Sequence, residues 1–194
     1  MTDLGVLRYF LGLEVSHSSI GIYVNQAKYA RDVLIRFGML ASKPCHTTIA
    51  LTAPSDVGSP CTVEDAHNYG AMVGALQYLT FSRPDIAFSV RKLSQHMHAP
   101  FSSHLITAKR VLRYINGSLH VSLLFKKGGS VDEALRLRAF SDSDWAGDPS
   151  YRRSTTGFVV FLDSNPISWA VKKQTTVSRS STEAEYRALA INCC

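Results

Sequence analysis

No apolar run in these 194 residues approaches the ~18 that a membrane-spanning helix needs, so membrane insertion by a helix is not expected. The opening Met1-Thr2-Asp3-Leu4-Gly5 has neither the basic start nor the apolar stretch of a signal peptide, so secretion is not expected either. Cysteine is scarce. Cys45, Cys61, Cys193 and Cys194 form no CxxC pair and have no partner histidine at zinc spacing. Adjacent Cys193 and Cys194 cannot close a relaxed disulfide, so all four read as thiols in a reducing compartment, cytoplasmic or nuclear. Internal repeats and low-complexity tracts are absent. With 45% hydrophobic and 19% charged residues and a mean hydropathy near zero, a disordered tail or a coiled-coil rod is excluded.

What the sequence does have is positive charge, unevenly placed. Residues 1–128 hold 13 Lys and Arg against 7 Asp and Glu, which accounts for the whole net charge of +6. Residues 129–194 hold 8 against 8. A basic front joined to a neutral back suggests two units that meet different parts of one polyanion, because clustered cations attract phosphate.

The front opens with the alternating run Leu7 to Val15, a polar turn from Ser16 to Gly21, and the short run Ile22-Tyr23-Val24. This pattern predicts a β-hairpin. Asn25 stands as a cap before a helix with the stripe Ala30, Val33, Leu34 and Phe37, and Gly38 occupies the position of a C′ glycine. Residues 41–68 carry Pro44, Pro54 and Pro60 without periodicity and read as a linker. Three helices follow over 69–128. The first shows Tyr69, Met72, Val73, Leu76 and Leu79; the second starts at Pro84 and turns Ile86, Val90, Leu93 and Met97 inward. The third carries Leu105, Ala108, Leu112 and Ile115 and ends at Asn116-Gly117, with Lys109, Arg110 and Arg113 on its outer side as a solvated face or a track for a phosphate backbone. Lys126-Lys127-Gly128-Gly129 marks a boundary. From 134 to 194 the pattern is three strands, with a turn at Asp163–Pro166, then a helix from about Ser181. The whole is an α+β arrangement.

Acidic residues gather where the first strand of this second unit ends, at Asp142, Asp144 and Asp148. Residues two apart share a face of a strand, and carboxylates so placed are the hard oxygen donors that hold Mg²⁺ for phosphodiester chemistry, although surface turns are also rich in Asp. On the last helix, Ser180-Ser181-Thr182-Glu183 fits a capping box, and Glu183 stands four residues before Arg187, so both roles keep Glu183 outside. Glu185 lies about 200° round the helix from Glu183, beside the stripe Ala184, Ala188, Leu189 and Ile191. A carboxylate there is either an exposed group at the stripe edge or one compensated by a cation shared with Asp142. The basic, hydroxyl-rich turn Arg152-Arg153-Ser154-Thr155-Thr156 and the helix N-terminus at Ser180, Ser181 and Thr182 are further candidate phosphate contacts.

The strings "SDSDWAGD", "RRSTTGFVVFL" and "SWAVKKQTTVSRSSTEAEYRALA" resemble the RNase H region of copia-type LTR-retrotransposon Pol polyproteins, especially plant ones. Upstream, "DLGVLRYFLGLEV", "QAKYARDVL" and "VGALQYLTFSRPDIAFSVRKLSQHMHAP" resemble the C-terminal part of the same polyproteins' reverse transcriptase, in family order over roughly residues 3–190. The chain is also similar to short plant open reading frames derived from such elements, some of them mitochondrial, which adds the mitochondrion to the expected locations. The resemblance implies that residues 1–40 are the palm end, with Phe10, Leu11 and Gly12 in the hairpin that lies against a primer strand. It implies a thumb- or connection-like helical bundle at 69–128. It further implies a truncated RNase H-like mixed sheet of three strands and a first helix at 134–194. Asp142 and Glu185 match its catalytic, metal-binding carboxylates, with Asp144 as an auxiliary candidate.

The implied substrate is an RNA–DNA hybrid or template–primer duplex, the implied cofactor Mg²⁺, and the rest of a Pol polyprotein a possible partner; no small-molecule substrate is implied. The YxDD motif of reverse transcriptases is absent, and the further RNase H carboxylates of the family fall beyond residue 194. The resulting expectation is a Pol fragment that binds nucleic acid without polymerase or nuclease activity of its own. The alternatives are a docking partner of an intact Pol and a residually active Mg²⁺-dependent RNase H.

Overall fold

Leu11 and Gly12 have φ of 47° and 74°, the pair of left-handed residues that a two-residue hairpin turn of matching twist requires. They join β1 (Tyr9–Phe10) to β2 (Leu13–His17), so the alternating run that reads as one strand folds into two. A period of two cannot report the sign of φ, and only the glycine hinted at the break. β2 pairs antiparallel with β3 (Gly21–Asn25), Val15 opposite Val24. The structure, a computed structural model, describes residues 5–50, 58–128, 135–148 and 151–192. The expected thiols Cys193 and Cys194, the opening Met1–Leu4, Pro54 of the linker and Gly129 of the boundary turn lie outside the described residues.

Two units divide the chain. One runs to Ser18 and resumes from Ile22 to Leu123; the other takes Ser19–Gly21 and the chain from Leu124 onward. In the first, helix α1 (Ala27–Arg36) starts where Asn25 Oδ1 accepts the Ala27 N–H at 3.1 Å and Glu14 Oε1 accepts the Lys28 N–H at 2.7 Å. It ends in a Schellman motif: Gly38, at φ 65°, donates to the Ile35 carbonyl and Met39 to that of Leu34. Helix α2 (Val63–Leu79) begins six residues before the sequence-based start. The reason is Thr62, whose hydroxyl accepts the Asp65 N–H at 3.1 Å and caps the helix inside the expected linker. Pro84–Ile86 form a 3₁₀ turn that leads into α3 (Ala87–Ser94), and α4 (Ser102–Asn116) follows. Met97, expected inward, is 40% exposed because α3 has already ended. The core joins Leu34 of α1, Tyr69, Val73, Leu76 and Leu79 of α2, Ile86, and Val111, Leu112 and Ile115 of α4.

The second unit contains β4 (Leu123–Lys126) from its second residue onward and a sheet of β5 (Leu137–Asp144), β6 (Thr155–Leu162) and β7 (Asn165–Lys173) in that order, with α5 (Ser181–Asn192). Every pairing in the described sheet is antiparallel, which corrects the expected mixed sheet: short connections between successive strands do not allow a crossover. The turn expected at Asp163–Pro166 shrinks to Asp163-Ser164, with Asp163 at φ 55°. Pro166 enters β7 instead, an edge strand with a register shift opposite Val160/Phe161, where a missing N–H is tolerated. The two sheets and five α-helices of the described residues make an α+β fold.

Candidate carboxylate and nucleic-acid sites

β5 stays extended through Asp144, so Asp142 and Asp144 share one face of it. Asp142 is exposed, and its cross-strand partner is Gly157, where an added Cβ would meet open space. The Asp142 carboxylate therefore has room beside it. Asp144 is committed to the fold, since Oδ1 accepts the Thr155 N–H in a short hydrogen bond. Asp148 is committed as well, pairing with Lys173 and accepting the Tyr151 N–H at 3.0 Å.

α5 divides its two glutamates as its periodicity requires. Glu183 Oε2 accepts the Arg179 N–H at 2.7 Å, and Arg187 Nη2 reaches Oε1 at 2.5 Å. The Arg179 N–H and the Arg187 charge hold its carboxyl below the ordinary value against a desolvation that pushes the other way. Ser180 Oγ accepts the Glu183 N–H at 3.1 Å, so the expected cap forms, although Glu183 reaches back to Arg179 rather than to Ser180. Two consequences follow for the phosphate contacts expected at Ser180, Ser181 and Thr182. The flanking Arg179 and Glu183 N–H groups are already taken by the chain's own side chains, and a carboxylate occupies the positive end of the helix, which disfavours a second anion. Glu185, by contrast, is half-buried, and its Oε1 accepts the Ser143 N–H at 3.4 Å. That N–H belongs to the residue after Asp142 and points away from β6, so Glu185 approaches the outer edge of β5 beside Asp142. Leu189, expected in the buried stripe, is 52% exposed, while Ala184 and Ala188 are fully buried.

Asp142 and Glu185 are carboxylate oxygens of the kind Mg²⁺ takes one or two at a time while keeping several waters. Among the described residues no group of three or more His, Cys, Asp or Glu is arranged to hold a metal. By chemistry alone, the two side chains offer the hard oxygen donors that such an ion takes.

The other expected nucleic-acid contacts differ in how far they are already engaged. Arg152 and Arg153 are exposed on the turn before β6, with Arg152 at φ 53°. Lys109 is exposed on α4. Arg110 donates to the Thr47 hydroxyl at 2.7 Å and Arg113 to the Lys43 carbonyl at 2.6 Å, so both fasten residues 43–47 to α4. At the β1–β2 turn Phe10 is 55% and Leu11 73% exposed. Sequence reading missed what holds this turn. The Tyr78 hydroxyl, on α2, donates to the Leu11 carbonyl at 2.6 Å, and a Cβ on Gly12 would lie 2.5 Å from that hydroxyl. Sixty-seven residues separate the partners, and no periodicity links them. Gly12→Ala is accordingly expected to lower stability by about 1–2 kcal/mol through its left-handed φ, and to break the Tyr78 contact. Urea denaturation with Tyr78→Phe as the companion variant checks this, and an unchanged midpoint for Gly12→Ala refutes it.

An uncharacterized mitochondrial protein of Arabidopsis thaliana is 47% identical over 191 residues, covering 98% of this chain and 78% of that protein. The retrovirus-related Pol polyprotein from transposon RE1 of the same plant is 45% identical over 184 residues, 95% of this chain. That from transposon TNT 1-94 of Nicotiana tabacum is 37% identical over 195 residues, 96% of this chain. The chain spans only 12% and 14% of the length of these two polyproteins. No family model and no solved structure matches it.

Proposed function

Because this chain belongs to the family of copia-type retrotransposon Pol polyproteins, we propose that it serves as a duplex-binding segment of such a Pol, with an RNA–DNA hybrid or template–primer as its ligand. The observation that carries this reading is the pre-formed turn at Leu11-Gly12, pinned by Tyr78 and presenting exposed Phe10 and Leu11 from the unit that holds the positive excess. A pinned apolar turn loses little entropy on contact, and the exposed cations of the chain supply the affinity for phosphate. The family's parent reaction is RNA-directed DNA synthesis coupled to RNA cleavage in hybrids. A plant retroelement origin accords with a nuclear or cytoplasmic location, and the mitochondrial relative with an organellar one. No described helix is long and apolar enough to cross a membrane.

Binding to a labelled RNA–DNA hybrid is expected to weaken steeply as salt rises, with log K linear in log salt. Lys109→Ala and Arg153→Ala are each expected to reduce the magnitude of that slope by about 1. These exposed cations are better probes than Arg110 and Arg113, whose loss would also release residues 43–47. Salt-insensitive binding, or none, refutes the reading.

A second reading is favoured by the approach of Glu185 to Ser143. Asp142 and Glu185 would hold Mg²⁺, which when bound activates water and stabilises the leaving oxygen of a phosphodiester. The chain's own part is to present Asp142 in the open space beside Gly157 and to aim Glu185 at the same strand edge. Binding of Mn²⁺ as a spin-active probe, weakened in Asp142→Asn, supports this reading. Equal binding by wild type and Asp142→Asn removes it.

A further inference from the structure

Gln174 follows β7 and is 4% exposed. Its backbone N–H donates to the Ser154 carbonyl at 2.9 Å, which fixes where the side chain begins. From there Nε2 lies 3.2 Å from Ser143 Oγ, 3.1 Å from Thr156 Oγ1 and 3.0 Å from the Ala184 carbonyl oxygen. Oε1 in turn accepts the Ser178 hydroxyl at 2.8 Å, which orients the amide and leaves the nitrogen facing the other three groups. Ser143 immediately follows Asp142, and Ala184 immediately precedes Glu185. A single buried amide nitrogen thus joins the neighbours of both candidate carboxylates.

This link adds directional bonds to the packing that sets α5 on the sheet. Among the described residues the fully buried side chains of the helix are the methyl groups of Ala184 and Ala188, while Tyr186 and Leu189 are 68% and 52% exposed. Methyl contacts are non-directional and tolerate sliding. The direct bond from the Ser143 N–H to Glu185 is long at 3.4 Å. The Gln174 bonds are directional, and burial removes water as a competitor for them.

We infer that Gln174 is a positioning residue that sets the separation of the Asp142 and Glu185 carboxylates and thereby the divalent-cation affinity of the pair. The inference rests on the two-carboxylate reading given above. Groups that orient metal ligands without touching the metal characteristically change affinity 10–100-fold when removed.

Mn²⁺ titration of the full chain, read by electron paramagnetic resonance, tests the assignment. Gln174→Met keeps side-chain length without hydrogen-bond donors and is expected to bind Mn²⁺ about 10–100-fold more weakly, with the far-UV spectrum of the folded chain retained. Ser143→Ala removes one acceptor only and is expected to weaken Mn²⁺ binding less, in the same direction; it decides the matter if Gln174→Met does not fold. Folded Gln174→Met that binds Mn²⁺ as tightly as wild type, even with a lowered melting temperature, makes Gln174 merely structural and overturns the inference while the carboxylate reading stands. Wild-type binding that is absent, or indifferent to Asp142→Asn, overturns the carboxylate reading and the inference with it.

Discussion

Arg83→Ala is expected to lower the stability of the first unit by about 3 kcal/mol, near the lower end of what breaking a buried ion pair costs. Arg83 is 4% exposed, and nearly all its donors are used. Nη2 meets Asp85 Oδ2 at 2.7 Å and Nε meets Oδ1 at 2.9 Å, a bidentate fork. Nη1 and Nη2 also reach the Ser118 carbonyl and hydroxyl at 2.9 and 2.8 Å, tying the turn before α3 to the end of α4. Tyr114 completes the group, donating to Asp85 Oδ2 at 2.8 Å while its ring lies 5.6 Å from the guanidinium carbon. Alanine leaves Asp85 desolvated without its cation. The lower end of the range applies because the Asp85 side chain keeps 32% of its exposure. Lysine cannot restore the fork and is expected to recover only part of the loss.

Acid provides a second check on the same cluster. Burial pushes the Asp85 carboxyl up, but the hydrogen bonds and charge of Arg83 and the Tyr114 hydroxyl outweigh it and hold the pKa below the ordinary 3.8. A carboxyl whose folded pKa is depressed stabilises the fold fully above the unfolded value and loses that contribution as pH falls through the folded one. The stability difference between wild type and Arg83→Ala should therefore narrow below about pH 3.8. Urea denaturation followed by far-UV circular dichroism at pH 7 and pH 3 measures both effects. A difference under about 1 kcal/mol at pH 7 would place the pair with weak surface bridges.

Leu112→Ala is expected to cost about 2–5 kcal/mol. Leu112 is 0% exposed in the cluster that joins α4 to α2 and α1, and truncation leaves a cavity that rigid helices close only in part. Leu189→Ala on α5 is the contrast. With 52% of its surface exposed it is expected to stay within about 0.5 kcal/mol of wild type. To follow both units, helical signal and Trp145 or Trp169 fluorescence should be recorded together, the tryptophans reporting the second unit. A loss for Leu112→Ala no greater than that for Leu189→Ala would mean that the helical unit is not closely packed.

Much of this was legible in the order of residues. Helical periodicity located α1 and the apolar stripes of α2, α3 and α4, because a 3.6-residue repeat is a local property that survives into the packed fold. The Ser180–Glu183 cap and the i,i+4 spacing of Glu183 and Arg187 distinguish an outward glutamate from Glu185 by local spacing alone. Family membership was legible too, since the motifs stand in family order along the chain.

Tertiary structure alone decided the rest, and for one reason: the deciding partners are remote in sequence and carry no period. Tyr78 holds Leu11 from 67 residues away, and Arg113 holds Lys43 from 70. The outer face of α4 read as a uniform row of cations, yet folding assigns Arg110 and Arg113 to residues 43–47 and leaves Lys109 exposed. Nothing in the polar run Lys172–Thr176 sets Gln174 apart by sequence. Only the closing of α5 onto β5 put its amide against Ser143 and Ala184, 31 and 10 residues away. Hydrophobic pattern sets which face of an element turns inward, but a hydrogen bond also needs its partner's position in space, and that exists only once the chain has packed.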